Sequence, residues 1–357
     1  MLTRSKIPRL GLILPAYNEE EVLPTTLNIL QGIKASLVEQ MLVSEDSFIM
    51  IVDDGSADKT WSIIQQQERQ NSDIIGVKLS KNFGHQPALL AGMTESSKLA
   101  DIMITLDADM QDNPDVIKQM VEKYLEGNEV VYAVRSSRQT DTWFKRNSAL
   151  AFYKLAGWLG VKMVPNHADF RLMSKVAVKA LLKMPERNVF LRAMVPLVGF
   201  QSAKVYYERG ERQAGESKYP LKKMLSFAID GITSFSIQPI RLLLHLGILV
   251  LGIAGVEIAY TVFEKIVGNP TAGWSSLMIS IWLLGGLNLI ALGVVGTYIG
   301  KIFTEVKHRP LFQIEREDGY PVAEDQLTKV SPMPQSEETE TPSYETDYQV
   351  VHQVISR

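Results

Sequence analysis

Three aspartates and an amide fall within six residues, Asp107, Asp109, Gln111 and Asp112, in the stretch IMITLDADMQDNPD at 102–115. Carboxylates this close repel one another unless a hard cation sits among them. Carboxylate and amide oxygens suit Mg²⁺ or Mn²⁺, which bind through one or two carboxylates and complete their shell with water and substrate phosphates. Ile102, Ile104 and Leu106 lead into the acids with the alternation of a strand, and Pro114 follows where a helix takes its first turn. A strand that ends in acids puts them at the carboxyl edge of a sheet, where open α/β sheets bind ligands. By itself the stretch fits equally well an acidic strand-to-helix loop, with Asp112 or Asn113 capping the next helix.

The elements that must position these groups alternate from residue 7 to about 135. Strands are expected over 9–14, 47–52, 74–79, 102–106 and 129–134, with helices over 21–34, 59–69, 86–96 and 114–126. That order predicts an α/β domain with a mainly parallel sheet. Polar residues gather at the strand ends: Pro15, Tyr17, Asn18 and Glu19; Asp53 to Ser56; Lys81, Asn82 and Gly84; Arg135 and Arg138. Such an edge suits a phosphorylated, hydroxyl-rich ligand carrying a base to stack. Ser56 or Asp58 is expected to cap the helix that follows. Neither GxGxxG nor GxxxxGK[ST] occurs, which leaves dinucleotide and P-loop readings without support.

The 357-residue chain has room for one sizeable domain and something more. Its formal net charge of −3 gives no global attraction to nucleic acid or to an anionic membrane, and no nucleic-acid partner is expected. The absence of cysteine excludes disulfides, zinc–thiolate sites and cysteine nucleophiles. The five histidines show no metal-ligand spacing. The apolar run at 10–14 is too short for a signal peptide and reads as a first buried strand.

The segments PAYNEE (15–20), VDDGSADKT (52–60) and DADMQDNPD (107–115), in this order and spacing, resemble glycosyltransferase family 2, with its GT-A, Rossmann-like nucleotide-sugar fold. HADFRLMS (167–174), RNVFLRAMVPLVGF (187–200) and RQAGESKYPLKKM (212–224) narrow the resemblance to the polyisoprenyl-phosphate glycosyltransferases. That group includes dolichol-phosphate mannosyltransferase and the bacterial bactoprenol glucosyltransferases, and the likeness runs from about 7 to 310. It implies a UDP-sugar donor, with glucose the expected sugar, a polyprenyl phosphate acceptor, Mg²⁺ or Mn²⁺, and inverting transfer. Pro15, Tyr17, Glu19 and Asp54 are implied for the nucleoside, and Asp107, Asp109 and Gln111 for the metal and donor phosphates. Arg135 and Arg146 are implied as phosphate contacts on the acceptor side. Asp169 matches the position usually taken as catalytic, while its own surroundings fit equally a cap or an ion pair with Arg171; Arg212 and Lys218 are implied at the donor diphosphate. The acidic motif ends in Asn-Pro where the family more often has Asp-Pro. Arg212 and Lys218 flank Gly215 and Ser217, a basic loop able to close over a diphosphate. A processive polysaccharide synthase would carry QxxRW and more spans, which do not occur, and a non-catalytic scaffold would not need the clustered acids.

Residues 141–160 are amphipathic and suit either a membrane interface or a core helix. The segment 221–239 is a second juxtamembrane candidate. The spans 240–263 and 274–302 are each long enough to cross a bilayer, joined by a short turn into a hairpin within 240–303. Lysines and arginines flank both ends, which predicts cytoplasmic flanks and a cytoplasmic catalytic domain over 1–220. Gly286, Gly293 and Gly300 recur at heptad spacing, which suggests a close-packed helix face. His245 and Glu257 are expected either to reach the two interfaces or to face a partner helix. In the tail, 304–357, a short strand is expected over 311–315. From about 316 the composition reads as disorder, or as a segment that orders against a neighbouring subunit. A homo-oligomer in the lipid bilayer is the expected assembly.

Overall fold

Strand β1 (Leu10–Ala16) and β2 (Phe48–Asp53) are buried at every position, as is β4 (Ile102–Thr105). Strands covered on both faces are continuous apolar runs, which is why these three were legible without alternation. Between them lie helix α1 (Leu23–Glu39), α2 (Thr60–Gln70), β3 (Ile74–Leu79) and α3 (His85–Leu99); α4 (Val116–Leu125) and β5 (Val130–Arg135) follow β4. In the computed structural model the described residues are 4, 6–109, 112–136, 167–208, 233, 236–267 and 273–318. All of them belong to one compact unit, Met1–Gly319.

Two strands go beyond the expected set. β6 (His167–Ser174) and β7 (Ser202–Tyr207) are separated by α5 (Lys175–Leu182) and α6 (Leu191–Leu197). Buried Asp169 and Arg171 interrupt the apolar pattern of β6. Exposed Tyr206 and Lys204 alternate with buried Val205 and Tyr207 in β7, the pattern of an edge strand. The last described strand, β8 (Ile314–Asp318), lies three residues beyond the 311–315 expectation.

Among the described residues the sheet order is β7-β5-β6-β4-β1-β2-β3-β8. β4-β1-β2-β3 is parallel throughout, as expected, and β7 runs parallel to β5. β6 is antiparallel to both neighbours, and β8 is antiparallel to β3, so the sheet is mixed. The β6 insertion decides the chemistry. Its register sets Thr105 against Arg171, the last pair before the strand ends, and Thr105 Oγ1 donates to the Asp169 carbonyl.

Two long helices follow, α7 (Gln238–Val267) and α8 (Trp274–Val306), each somewhat longer than its expected span. Among the described residues one stretch is long and apolar enough to cross a membrane, Leu283–Val306, with mean hydropathy 1.7 and none of it buried. The described apolar stretch of α7, Gln238–Val250, is shorter. Outside their own helical turns, no described atom comes within 4 Å of a Cβ built on Gly286, Gly293 or Gly300, so the close-packed face expected from their spacing is not formed among the described residues. His245 Nδ1 lies 2.6 Å from the Arg241 carbonyl oxygen of its own helix, and the Glu257 side chain is outside the described set. The interfacial segments 141–160 and 221–232, and the tail from 319, also lie outside the described residues.

Candidate active site

The loops after β1, β2 and β3 are knitted together at the carboxyl edge of the sheet. Asn18, with φ 54°, donates its amide to Ser56 Oγ (3.0 Å), and its Oδ1 accepts from the Ala57 amide (2.9 Å). The Glu19 amide donates to Thr60 Oγ1 at 2.9 Å. Gly55 takes φ 69°, and a Cβ there would stand 2.5 Å from the Lys81 carbonyl carbon, so only glycine lets the second and third loops meet. Of the two capping candidates, Asp58 Oδ1 accepts from the Thr60 amide (2.9 Å), while Ser56 serves the first loop.

The residues implied for the nucleoside divide into two kinds. Tyr17 is 43% exposed and offers a ring at the rim. Pro15 is buried and Glu19 half-buried. Asp54 is 3% exposed, and its Oδ1 and Oδ2 accept from the amides of Phe83 (2.7 Å) and Gly84 (2.9 Å). It braces the third loop. Its neighbour Asp53 is fully buried with Oδ2 unpartnered, and burial raises its pKa.

The acidic loop is fixed by its backbone. The Leu106 amide donates to the Ile13 carbonyl (3.1 Å), and Thr26 Oγ1 donates to the Ala108 carbonyl (2.8 Å). Asp112 turns away from its fellow acids: its Oδ1 accepts from Arg135 Nη2 (3.1 Å) and from the Tyr207 hydroxyl, and Arg135 Nε donates to that hydroxyl (3.2 Å). This triangle ties the loop to β5 and β7, and it accounts for Arg135 within the chain. Asn113 Oδ1 accepts from the Asp115 amide (2.9 Å) just ahead of α4. The N-cap of α4 is Asp115 and receives no side-chain cap bond, so neither Asp112 nor Asn113 caps the helix; Asn113 closes an Asx-turn ahead of it.

Asp107 keeps 42% of its side chain exposed, yet its Oδ1 is enclosed and makes no hydrogen bond. Burial, with Asp169, Asp112 and Asp109 nearby, pushes its pKa up to about 6 against the opposing pull of His85. Asp169 lies at the centre of a different arrangement. Arg171, 2% exposed, pairs with its Oδ1, and its Oδ2 receives Arg192 Nη2 (3.2 Å), Gln86 Nε2 (3.4 Å) and His85 Nε2 (3.5 Å). Burial alone would raise the Asp169 pKa; Arg192, His85 and Arg171 reverse this and hold it well below the usual carboxylate range. The His85 ring bridges the two acids, with Nε2 also 3.5 Å from Asp107 Oδ1. Burial disfavours its cation, but Asp169 and Asp107 outweigh that and raise its pKa.

Among the described residues no group of three or more His, Asp or Glu side chains is disposed to hold a metal by itself. The donor set nevertheless fits a divalent ion. Asp107 with an orphaned buried oxygen, and half-buried Asp109 two residues on, are the pair of carboxylates that such an ion takes when substrate phosphates supply further oxygens. Gln111, Arg146, Arg212 and Lys218 lie outside the described residues.

Residues 12–182 match Glycosyl transferase family 2. The chain is 50% identical over 308 residues to the glycosyltransferase YkoT of Bacillus subtilis (strain 168), across 86% of this chain and 91% of YkoT. This chain is a family 2 glycosyltransferase. The transferase is also 39% identical over 314 residues to the bactoprenol glucosyl transferase of Shigella phage SfV, across 87% of this chain and 99% of the phage protein. It is 37% identical over 313 residues to the prophage bactoprenol glucosyl transferase homolog of Escherichia coli (strain K12), across 86% and 99%. The mixed α/β sheet of the transferase is of the GT-A type that the motifs implied.

Three residues that hold the transferase's second acid were not among the sequence candidates, His85, Gln86 and Arg192; the fourth, Arg171, is the ion-pair partner that the sequence offered for Asp169. His85 and Gln86 follow Gly84 at the end of β3 and open α3, the same strand-to-helix position that marks the other loops. Arg171 stands two residues from Asp169 on one strand, so both side chains share a face. Those two local signals were readable. Arg192 carried none.

Proposed function

We propose that this glycosyltransferase moves a hexose, glucose from UDP-glucose, onto the phosphate of a polyprenyl phosphate at a membrane surface, with inversion at the anomeric carbon. The observation that carries the reading is the meeting of an under-donated acid, Asp107, with a cation-saturated acid, Asp169, across His85 at the carboxyl end of the parallel strands. The extent of likeness to proteins named bactoprenol glucosyl transferase supports the acceptor class.

In this reading Asp107, Asp109 and Gln111 hold Mg²⁺ or Mn²⁺ against the donor diphosphate. The ion, when bound, supplies positive charge to the leaving group. Tyr17, Pro15 and Glu19 line the nucleoside pocket that Asp54 shapes, and Arg212 and Lys218 add cations at the diphosphate. Arg146 meets the acceptor phosphate; Arg135, already bonded to Asp112 and Tyr207, contributes its charge from that frame. An acceptor phosphate oxygen forms the new bond to the anomeric carbon as the bond to the UDP oxygen breaks on the opposite face. The acceptor, a phosphate monoester, is largely anionic near pH 7 and needs no strong base. Asp169 therefore has a different role. Held anionic by Arg171, Arg192 and His85, it fixes the cations that face the acceptor.

The catalytic domain, 1–220, is cytoplasmic, and α7 and α8 form the membrane hairpin. At 30 and 33 residues each spans about 45–50 Å, more than a bilayer core of about 30 Å requires. The protein assembles as a homo-oligomer. Membrane fractions given radiolabelled UDP- and GDP-sugars with polyprenyl phosphate test this reading. Label extractable into organic solvent is expected from UDP-glucose. Aqueous polymer would make the protein a processive synthase, and no transfer from any donor would make it a scaffold.

A further inference from the structure

Glu305 stands in the last turn of α8, where a carboxylate opposes the helix dipole and no basic residue offsets it. Its partners lie outside its own helix. The Arg187 amide donates to both carboxylate oxygens, at 2.9 and 2.7 Å, and Asn188 donates its amide (2.9 Å) and its Nδ2 (2.8 Å) to Oε1. One carboxylate thus collects the polar hydrogens of a loop that belongs to neither α5 nor α6.

The same loop runs directly into the support of Asp169. Phe190, 7% exposed, anchors the start of α6. The Leu191 amide donates to Gln86 Oε1 (3.0 Å), and the Leu191 carbonyl accepts from Arg171 Nη1 (3.2 Å). Arg192 reaches Asp169 Oδ2 at 3.2 Å, and Gln86 reaches the same oxygen at 3.4 Å. The segment 187–192 is therefore held at one end by the apolar helix and at the other by the acid and its cations.

We infer that Glu305 is a positioning residue that anchors segment 187–192 to the end of α8 and thereby sets the placement of Arg192, Gln86 and Arg171 around Asp169. The inference rests on the reading that Asp169 belongs to the transfer site. It makes the lipid-facing helix and the acceptor side of the cleft one mechanical unit. Groups in a reacting cleft must be held within about 0.5 Å, and a displacement of about 1 Å from a remote change costs on the order of 10²-fold in rate.

The test uses the full-length protein in detergent or nanodiscs, with Glu305→Ala and Glu305→Gln. For the alanine variant kcat with polyprenyl phosphate is expected to fall about 10–100-fold. The KM for the UDP-sugar should stay within about twofold, with only a small drop in the thermal midpoint from the lost hydrogen bonds. Gln retains one acceptor oxygen but turns an NH₂ group toward the loop, so its kcat should fall between the two, and it replaces alanine if that variant does not fold. Hydrogen exchange provides an arm independent of activity. In Glu305→Ala, exchange should quicken in peptides covering 190–196 and 169–174 as well as at 186–189. Exchange faster only at 186–189, or kcat within about twofold of wild type, overturns the inference. Parallel losses of donor affinity and thermal stability also overturn it, because they would mark a merely structural contact. Wild type that makes no lipid-linked sugar would end the reading of the site, and the exchange arm would still decide the role of Glu305.

Discussion

Asp107 and Asp169 are the same chemical group in one cleft, each with an oxygen 3.5 Å from His85 Nε2, and the protein treats them in opposite ways. Asp107 lies two residues past the end of the parallel strand β4, leaves a buried oxygen without a donor and has its pKa pushed up to about 6. Asp169 is the third residue of the inserted antiparallel strand β6 and is surrounded by Arg192, His85 and Arg171, which hold its pKa far down, and by Gln86. A carboxylate short of donors is prepared for a cation that arrives with substrate. A carboxylate saturated with the protein's own cations is a fixed strut that orients them. In the proposed function, binding belongs to the β4 end and orientation to the β6 end.

The largest effect should come from dismantling the strut. Arg171→Leu removes the buried partner of Asp169, and breaking a buried ion pair from one side costs about 3–5 kcal/mol. Denaturation of the purified protein would measure it, and an unchanged midpoint would show that Arg192 and His85 suffice. At the other end, Asp109→Asn keeps the shape but removes charge from the proposed cation site. Turnover should fall on the order of 10²–10³-fold, about 3–4 kcal/mol of transition-state stabilisation. Chelation should abolish wild-type activity, with Mg²⁺ or Mn²⁺ restoring it. Activity that survives chelation would erase the distinction between the two acids.

Acid pH should separate wild type from Asp169→Asn. The folded pKa of Asp169 lies below the unfolded value of about 3.9, so its contribution to stability is fully present above that value. It is lost as pH falls through the folded pKa. The stability gap between the two proteins should narrow below about pH 4, and it should also shrink as pH rises above about 6.5, where the His85 cation that Asp169 favours is lost. A gap that widens below about pH 4 would contradict a cation-held Asp169. The smallest effect belongs to Asn113→Ala, which removes the acceptor of the Asp115 amide ahead of α4. A loss of about 0.5–1 kcal/mol in stability, that of one Asx-turn hydrogen bond, with donor affinity unchanged is expected. A large loss of donor binding would bring Asn113 into the site.

The first half of the fold was readable because its signals are local. β1 to β5 are apolar runs bounded by turn chemistry, and the sheet edge was marked by the polar residues that end each run. β6 was not readable as a strand, because Asp169 and Arg171 occupy core positions that a pattern of apolar residues would have filled. Nor did chain order reveal that β6 enters antiparallel between β4 and β5, a pairing that joins Thr105 to the Asp169 carbonyl 64 positions away. For Asp112, capping and metal binding looked alike in sequence. The choice was made by Tyr207, 95 positions on, and by Arg135.

The α/β order, the family, the apolar C-terminal helices and the acids at strand ends were all settled at the level of sequence, since periodicity, turn residues and motif spacing act over a few neighbouring residues. Three-dimensional packing was needed to settle which acid is left short of donors and which is saturated, that Asp54 braces a loop, and that Glu305 reaches the segment beside Asp169. Charge pairing and desolvation depend on distances in space, and the partners that set them here lie up to 118 positions apart along the chain.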